Sequence, residues 1–291
     1  MVSHIQSPAG ARLPGGLLIR FARKRPLVSF FVLAYLLAWA VVLPRVLFNL
    51  GLISFNIPSW WIIVGFYGPC IAGLWMQWLT EGNLRVCRLY DSGRGFLLGI
   101  IFGSALILIS FVVLPALLAE KAPLQSLDWH AFVSITSYHL QYSVVLGAIG
   151  EEPGWRGYAL PRLQARLGPV WASVLLGLLW AGWHFPGLLM NGWSVTWMLT
   201  YAVGVIALSV LMTLAANLSG FSIVVAVIMH ILSDTNPYLI SGLTAHSHAK
   251  LHWYWVWAIS NLLVPALVVL LTRGRLGMSP ISPPNRKQLD V

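Results

Sequence analysis

Apolar stretches near 20 residues long, separated by short polar, Gly- or Pro-containing breaks, set the pattern of this chain. Runs of that length match the helix needed to cross a bilayer core. They predict eight spans: Leu27–Asn49, Trp60–Leu79, Phe96–Ala119, Leu140–Leu160, Val170–Met190, Trp197–Leu218, Phe221–Ile240 and Trp253–Leu271. The expected fold class is all-α, a polytopic membrane bundle of about eight transmembrane helices. A basic N-terminal segment (1–26) precedes the bundle (27–272), and a polar tail (273–291) follows, whose Pro280, Pro283 and Pro284 disfavour packing. The fourth span has a competing window, 131–150. The later window is preferred because helical rise then sets Glu151 ~14 Å from its inner end, level with His184 and His230 at ~21 and ~14 Å along spans five and seven.

Composition adds orientation. The chain is 58% hydrophobic and 9% charged, where a soluble domain carries about 25% charged residues. All of the 18 Lys and Arg except Arg45, Lys121 and Lys250 fall before span one, between spans two and three, around the inner end of span four, or after span eight. That bias predicts a multi-pass protein of the cell membrane with both termini in the cytoplasm. With no soluble domain to present it, the net charge of +10 reads as orientation and contact with anionic lipid rather than nucleic-acid binding. The first span follows a segment too long and too basic for a signal peptide, so it is expected to remain attached. Cys70 and Cys87 would lie ~25 Å apart along one helix, which suits neither a disulfide framework nor a thiolate metal site. Many of the 15 Trp, among them Trp60, Trp61, Trp197, Trp253, Trp255 and Trp257, stand at span ends as interfacial anchors. The stretch 120–139, with Pro123, Asp128, Trp129 and His130, reads as an outer loop with an interfacial segment. His246, His248 and His252 read as a polar loop more than a metal site, having no Cys or carboxylate nearby.

Ionisable residues within the spans change the picture most. Glu151 and Glu152 stand side by side in span four with Arg156 one turn on, His184 is in span five, and His230 and Asp234 are spaced i,i+4 in span seven. Each cluster has an ordinary structural explanation, an ion pair or a satisfied core histidine. Three clusters on three helices at one depth are hard to accept as independent accidents, because a charge at the bilayer centre costs from about 3 to more than 10 kcal/mol. Arg156 partners Glu152 and leaves Glu151 over, a desolvated acid suited to proton transfer. Glu with two His can hold zinc and activate water, with Glu151, His184 and His230 as the ligands, or Glu can act on water as a base without metal. H-E-x-x-H, G-x-S-x-G and a Cys–His pair are all absent.

EEPGWR resembles the E-E-x-x-x-R motif, WAGWH the F-x-x-x-H motif with Trp180 for Phe, and HILSD the H-x-x-x-(N or D) motif of the CPBP (ABI) family of intramembrane proteases, which includes type II CAAX prenyl endopeptidases. Gly68-Pro69 resembles a Gly-Pro that members often carry. The resemblance implies a cytoplasm-opening cavity in an eight-helix bundle, where Glu151 and His184 activate water. His230 and Asp234 would hold the scissile carbonyl and its oxyanion, with Glu152, Arg156 and Trp180 in support. Trp180 is expected mainly to alter cavity width, packing on His184. Asp234 replaces the Asn of eukaryotic-type enzymes and, ionised, cannot donate to an oxyanion. It is then protonated, or orients His230, or makes the site more metal-like. The implied activity is endopeptidase hydrolysis, metalloprotease or glutamate-type, on a membrane-associated peptide or protein, prenylated or not. A non-proteolytic immunity or scaffold protein of the same fold and a proton-coupled transporter are the alternatives.

Overall fold

In a computed structural model, residues 16–55, 58, 60–86, 93–109, 143–243 and 251–278 are described, with single positions between 113 and 141. For 235–243 and 251–258 only the backbone is described, and the same holds at 94, 95, 107, 145, 146 and 260. The stretch around Pro123, Asp128 and Trp129, the residues His246 and His248, the His252 side chain and the tail beyond 278 lie outside the described residues.

Every expected span contains helix, and the protein is an all-α membrane bundle. The basic segment ends in a short helix, α1 (Leu17–Lys24), with Ala22 buried and Leu17, Leu18 and Phe21 exposed. Span one is α2 (Pro26–Asn49), its first position taken by a proline whose fixed φ suits a helix start. Span two is broken into α3 (Trp61–Phe66) and α4 (Gly68–Glu81) at Tyr67, because Pro69 has no N–H for the Gly65 carbonyl. Gly82 closes α4 in the left-handed conformation, φ 69°. Span three begins as α5 (Gly93–Leu108). Span four, α6, runs through a π-helical stretch (Ser143–Ala148), one α-helical turn (Ile149–Glu152) and a second π-helical stretch (Pro153–Ala159). It continues into α7 (Leu160–Met190), which bends where Gly168 leaves helical geometry at φ 73°, ψ 169°. Residues 169–190 are thus span five, close to the boundary expected at Val170. The remaining helices are α8 (Val195–Leu218), α9 (Ile223–Leu243) and α10 (Leu251–Leu271).

Of the three helices among the described residues that are long and apolar enough to cross a membrane, α8 has the largest buried share, and α7, α10, α5 and α9 contact it. Leu36, Ile101, Trp171, Leu199 and Leu270 are each more than half exposed, an apolar exterior that lipid covers. Small residues bring backbones together where α4 meets α6. A Cβ on Gly154 would lie 2.1 Å from the Pro69 carbonyl oxygen, and one on Gly73 would lie 2.9 Å from the Gly154 Cα. Such close approach drives helix association in lipid, where burial of apolar surface gives no net gain. Past the boundary expected at 272, packing continues to 278: Leu276 is fully buried, and the Asn217 amide donates to its carbonyl at 2.7 Å.

Candidate functional site

The ionisable residues of α6, α7 and α9 meet inside the bundle. Glu151 and Glu152 occupy the single α-helical turn between the two π-helical stretches, a distortion that recurs at functional positions. Neighbouring helix positions point about 100° apart, so the two carboxylates leave α6 toward different helices. Glu152 reaches α9, where its Oε1 lies 2.7 Å from His230 Nδ1 while accepting from Arg156 Nη1 at 3.0 Å. Glu151 reaches α7, where its Oε2 accepts the indole N–H of Trp180 at 2.6 Å, that of Trp155 at 3.2 Å, and stands 3.7 Å from His184 Nε2. Both carboxylates are sealed from the exterior, at 1% and 0% exposure. One is paired with the Arg156 cation, and the other is held by neutral dipoles.

A separation of 3.7 Å is too long for a direct hydrogen bond and leaves room for a water held by both groups. His184 Nε2 is buried without a hydrogen-bond partner. Trp183 and Tyr201 pack edge-on against its ring at 4.8 and 5.5 Å between centroids. On α9, His230 Nε2 lies 3.4 Å from Asp234 Oδ2, and that oxygen accepts from the Ser143 hydroxyl at 2.7 Å. His230 therefore has a carboxylate at each ring nitrogen. A Cβ on Gly147 would come within 3.3 Å of Asp234 Oδ2 and 3.6 Å of His230 Nε2, so the missing side chain keeps this corner open. The Asp234 side chain is 42% exposed, which makes it the outer edge of the cluster.

All seven residues singled out in the sequence are thus brought together, and two of them do more than expected. Trp180 packs against His184 as expected, with the ring centroids 6.1 Å apart, and it also donates to Glu151, which a Phe cannot do. Glu152 is more than the partner of Arg156, because it also links Arg156 to His230. Ser143 and Trp155 escaped the sequence reading. Trp155 follows Glu151 by four residues, the same spacing that paired Glu152 with Arg156, and Ser143 precedes Glu151 by eight, two turns back. Among the described residues, no group of three His, Cys, Asp or Glu side chains is arranged to share a metal ion. One ring nitrogen of His230 is engaged by Glu152, and Glu151 Oε2 is occupied by two indoles.

A buried Glu–His pair beside a second His flanked by carboxylates, inside a membrane bundle, has the chemical groups to exchange a proton with water. Residues 131–236 match the family model described as Type II CAAX prenyl endopeptidase Rce1-like. The chain is 32% identical over 108 residues to CAAX prenyl protease 2 of Methanococcus maripaludis, a match spanning 34% of this chain and 40% of that protein. This matched segment, which holds every residue of the cluster, is similar to type II CAAX prenyl endopeptidases, and the chain spans less than half the length of the archaeal relative.

Proposed function

We propose that this protein is an intramembrane endopeptidase that hydrolyses a peptide bond of a membrane-associated peptide or protein with a water activated by Glu151 and His184. The observation that carries the reading is the unpartnered His184 Nε2, 3.7 Å from a Glu151 oxygen held only by neutral donors. A water between them gives its proton to Glu151 as its oxygen attacks the carbonyl carbon. The oxyanion forms beside His230, whose Nε2 donates to it. Asp234, tied by Ser143, keeps that ring turned outward and accepts rather than donates. Glu151 then returns the proton to the leaving amine, completing the exchange. Glu152 and Arg156 hold His230 from behind.

Glu151, His184 and His230 are also residues of the type that hold zinc, which would supply a Lewis acid and a water of lowered pKa. With His230 Nδ1 at Glu152 and Glu151 Oε2 at two indoles, we assign activation to the glutamate. Metal analysis of the purified protein and activity after chelation test this assignment. Zinc bound by wild type, lost in His230→Ala together with activity, would transfer the chemistry to the metal.

The name of the archaeal relative suggests a prenylated C-terminal CAAX sequence as the substrate. The proposed location is the cell membrane, with the cavity opening to the cytoplasm. Protein reconstituted in liposomes and given a farnesylated CAAX peptide, alongside its unprenylated counterpart and a peptide library, tests both activity and substrate. Cleavage by wild type and its loss in Glu151→Ala and His184→Ala, both still folded, is the expected result. Equal product from all three removes the reading.

A further inference from the structure

Trp180 stands at a position where the motif this chain resembles has Phe, and it is almost completely buried. Its indole N–H makes the shorter of the two hydrogen bonds to Glu151 Oε2, 2.6 Å against 3.2 Å from Trp155. Its ring is held from one side by the Arg156 guanidinium, whose Cζ is 4.0 Å from the ring centroid, and from another by the edge-on His230 ring at 5.1 Å. Arg156 is in turn fixed by Glu152. The contacts close a loop: Glu152 to Arg156, Arg156 to the Trp180 face, Trp180 to Glu151, and along the backbone to Glu152.

We propose that Trp180 is a positioning residue for Glu151: its N–H fixes the carboxylate toward His184, and the cation on its face fixes the indole. This deepens the endopeptidase reading and rests on it. The chemical reason is that an indole N–H donates and never ionises. It orients a carboxylate without cancelling the charge that a base needs, whereas Arg156 sets a full positive charge against Glu152. Two neighbouring glutamates are thereby kept chemically distinct, one paired with a guanidinium and one held by dipoles.

The test removes the N–H while keeping the ring. Trp180→Phe and replacement of Trp180 by benzothienylalanine, which has the indole outline with sulfur in place of N–H, are compared with wild type in liposomes. The probe is whichever peptide wild type cleaves. A drop in kcat of about 10- to 100-fold is expected for both, the loss of a hydrogen bond to a charged group, with KM nearly unchanged. Trp171→Phe, on the lipid-facing surface, serves as control and keeps wild-type kcat. Wild-type kcat in the benzothienylalanine protein overturns the proposal, and so does a rise in KM alone.

Ultraviolet resonance Raman reads the bond without any substrate. The wild-type minus Trp180→Phe difference spectrum should show the indole N–H band of a strong hydrogen bond, and that band should shift in Glu151→Ala. A band at the position of a free indole overturns the positioning role whether or not peptide is cleaved. An active Glu151→Ala protein would instead sink the assignment of Glu151 as the base, while the wild-type Raman band still reports the bond.

Discussion

Replacing Glu151 and Glu152 by Gln one at a time separates roles that their adjacency hides. Glu151→Gln keeps the shape and both indole contacts while losing the base, so cleavage should fall about 10²- to 10⁴-fold with little change in the unfolding midpoint. Glu152→Gln leaves the buried Arg156 and His230 without their shared anion, a change that costs about 3–5 kcal/mol when one partner of a buried pair is removed. It should show first as lower stability in detergent denaturation. At Ser143, truncation to Ala takes the hydroxyl from Asp234 Oδ2. The ring of His230 is then less well aimed, and kcat should fall about tenfold, with recovery in Ser143→Thr. Of these residues the sequence made the charged ones legible, since an ionisable group in lipid is costly wherever it stands. Ser143 and Trp155 carried no such mark. A lone Ser in an apolar helix commonly bonds its own backbone, as Ser173 does here with Val170, and one Trp among 15 reads as an anchor until its N–H is seen to point inward.

Between elements, the contact that sets the cluster is α4 against α6. Pro69 breaks span two, and its carbonyl then lies where any side chain at 154 would go. Gly154→Ala must separate the two helices, and overpacking of this kind costs about 1–3 kcal/mol. The expected result is a lower unfolding temperature together with lost cleavage, because α6 carries both glutamates. Gly187→Ala, with nothing within 4 Å of the added carbon, should leave both unchanged. Equal behaviour of the two variants would mean that α4 does not fix α6. Hydropathy windows located these spans because they register composition averaged over about 20 residues. They were blind to the break at Tyr67, to the π-helical stretches around Glu151 and to the bend at Gly168, which arise from single backbone positions.

Taken as a whole molecule, the contacts gather one set of helix ends together. Arg162 of α7 bonds Glu81 and Gln77 at the end of α4, a Cβ on Gly157 would approach Val86 and Ile223, and one on Gly274 would approach Val170. Asn217 at the end of α8 holds Leu276 beyond α10. The start of α2, the ends of α4, α8 and α10 and the start of α9 therefore share one side, and Arg85, Arg162, Arg166, Arg273 and Arg275 lie there with the basic residues of α1. The positive-inside bias predicts that this is the cytoplasmic side. Single cysteines in a Cys70→Ser, Cys87→Ser background decide it. Lys24→Cys and Arg275→Cys in right-side-out membrane vesicles should resist an impermeant maleimide, while Leu52→Cys and Trp193→Cys, at the opposite helix ends, react. Inverted vesicles should give the reverse pattern. Labelling of Lys24→Cys and Arg275→Cys from opposite sides would make the number of crossings odd, and α6, α7 and α9 could not then present their glutamates and imidazoles at one level.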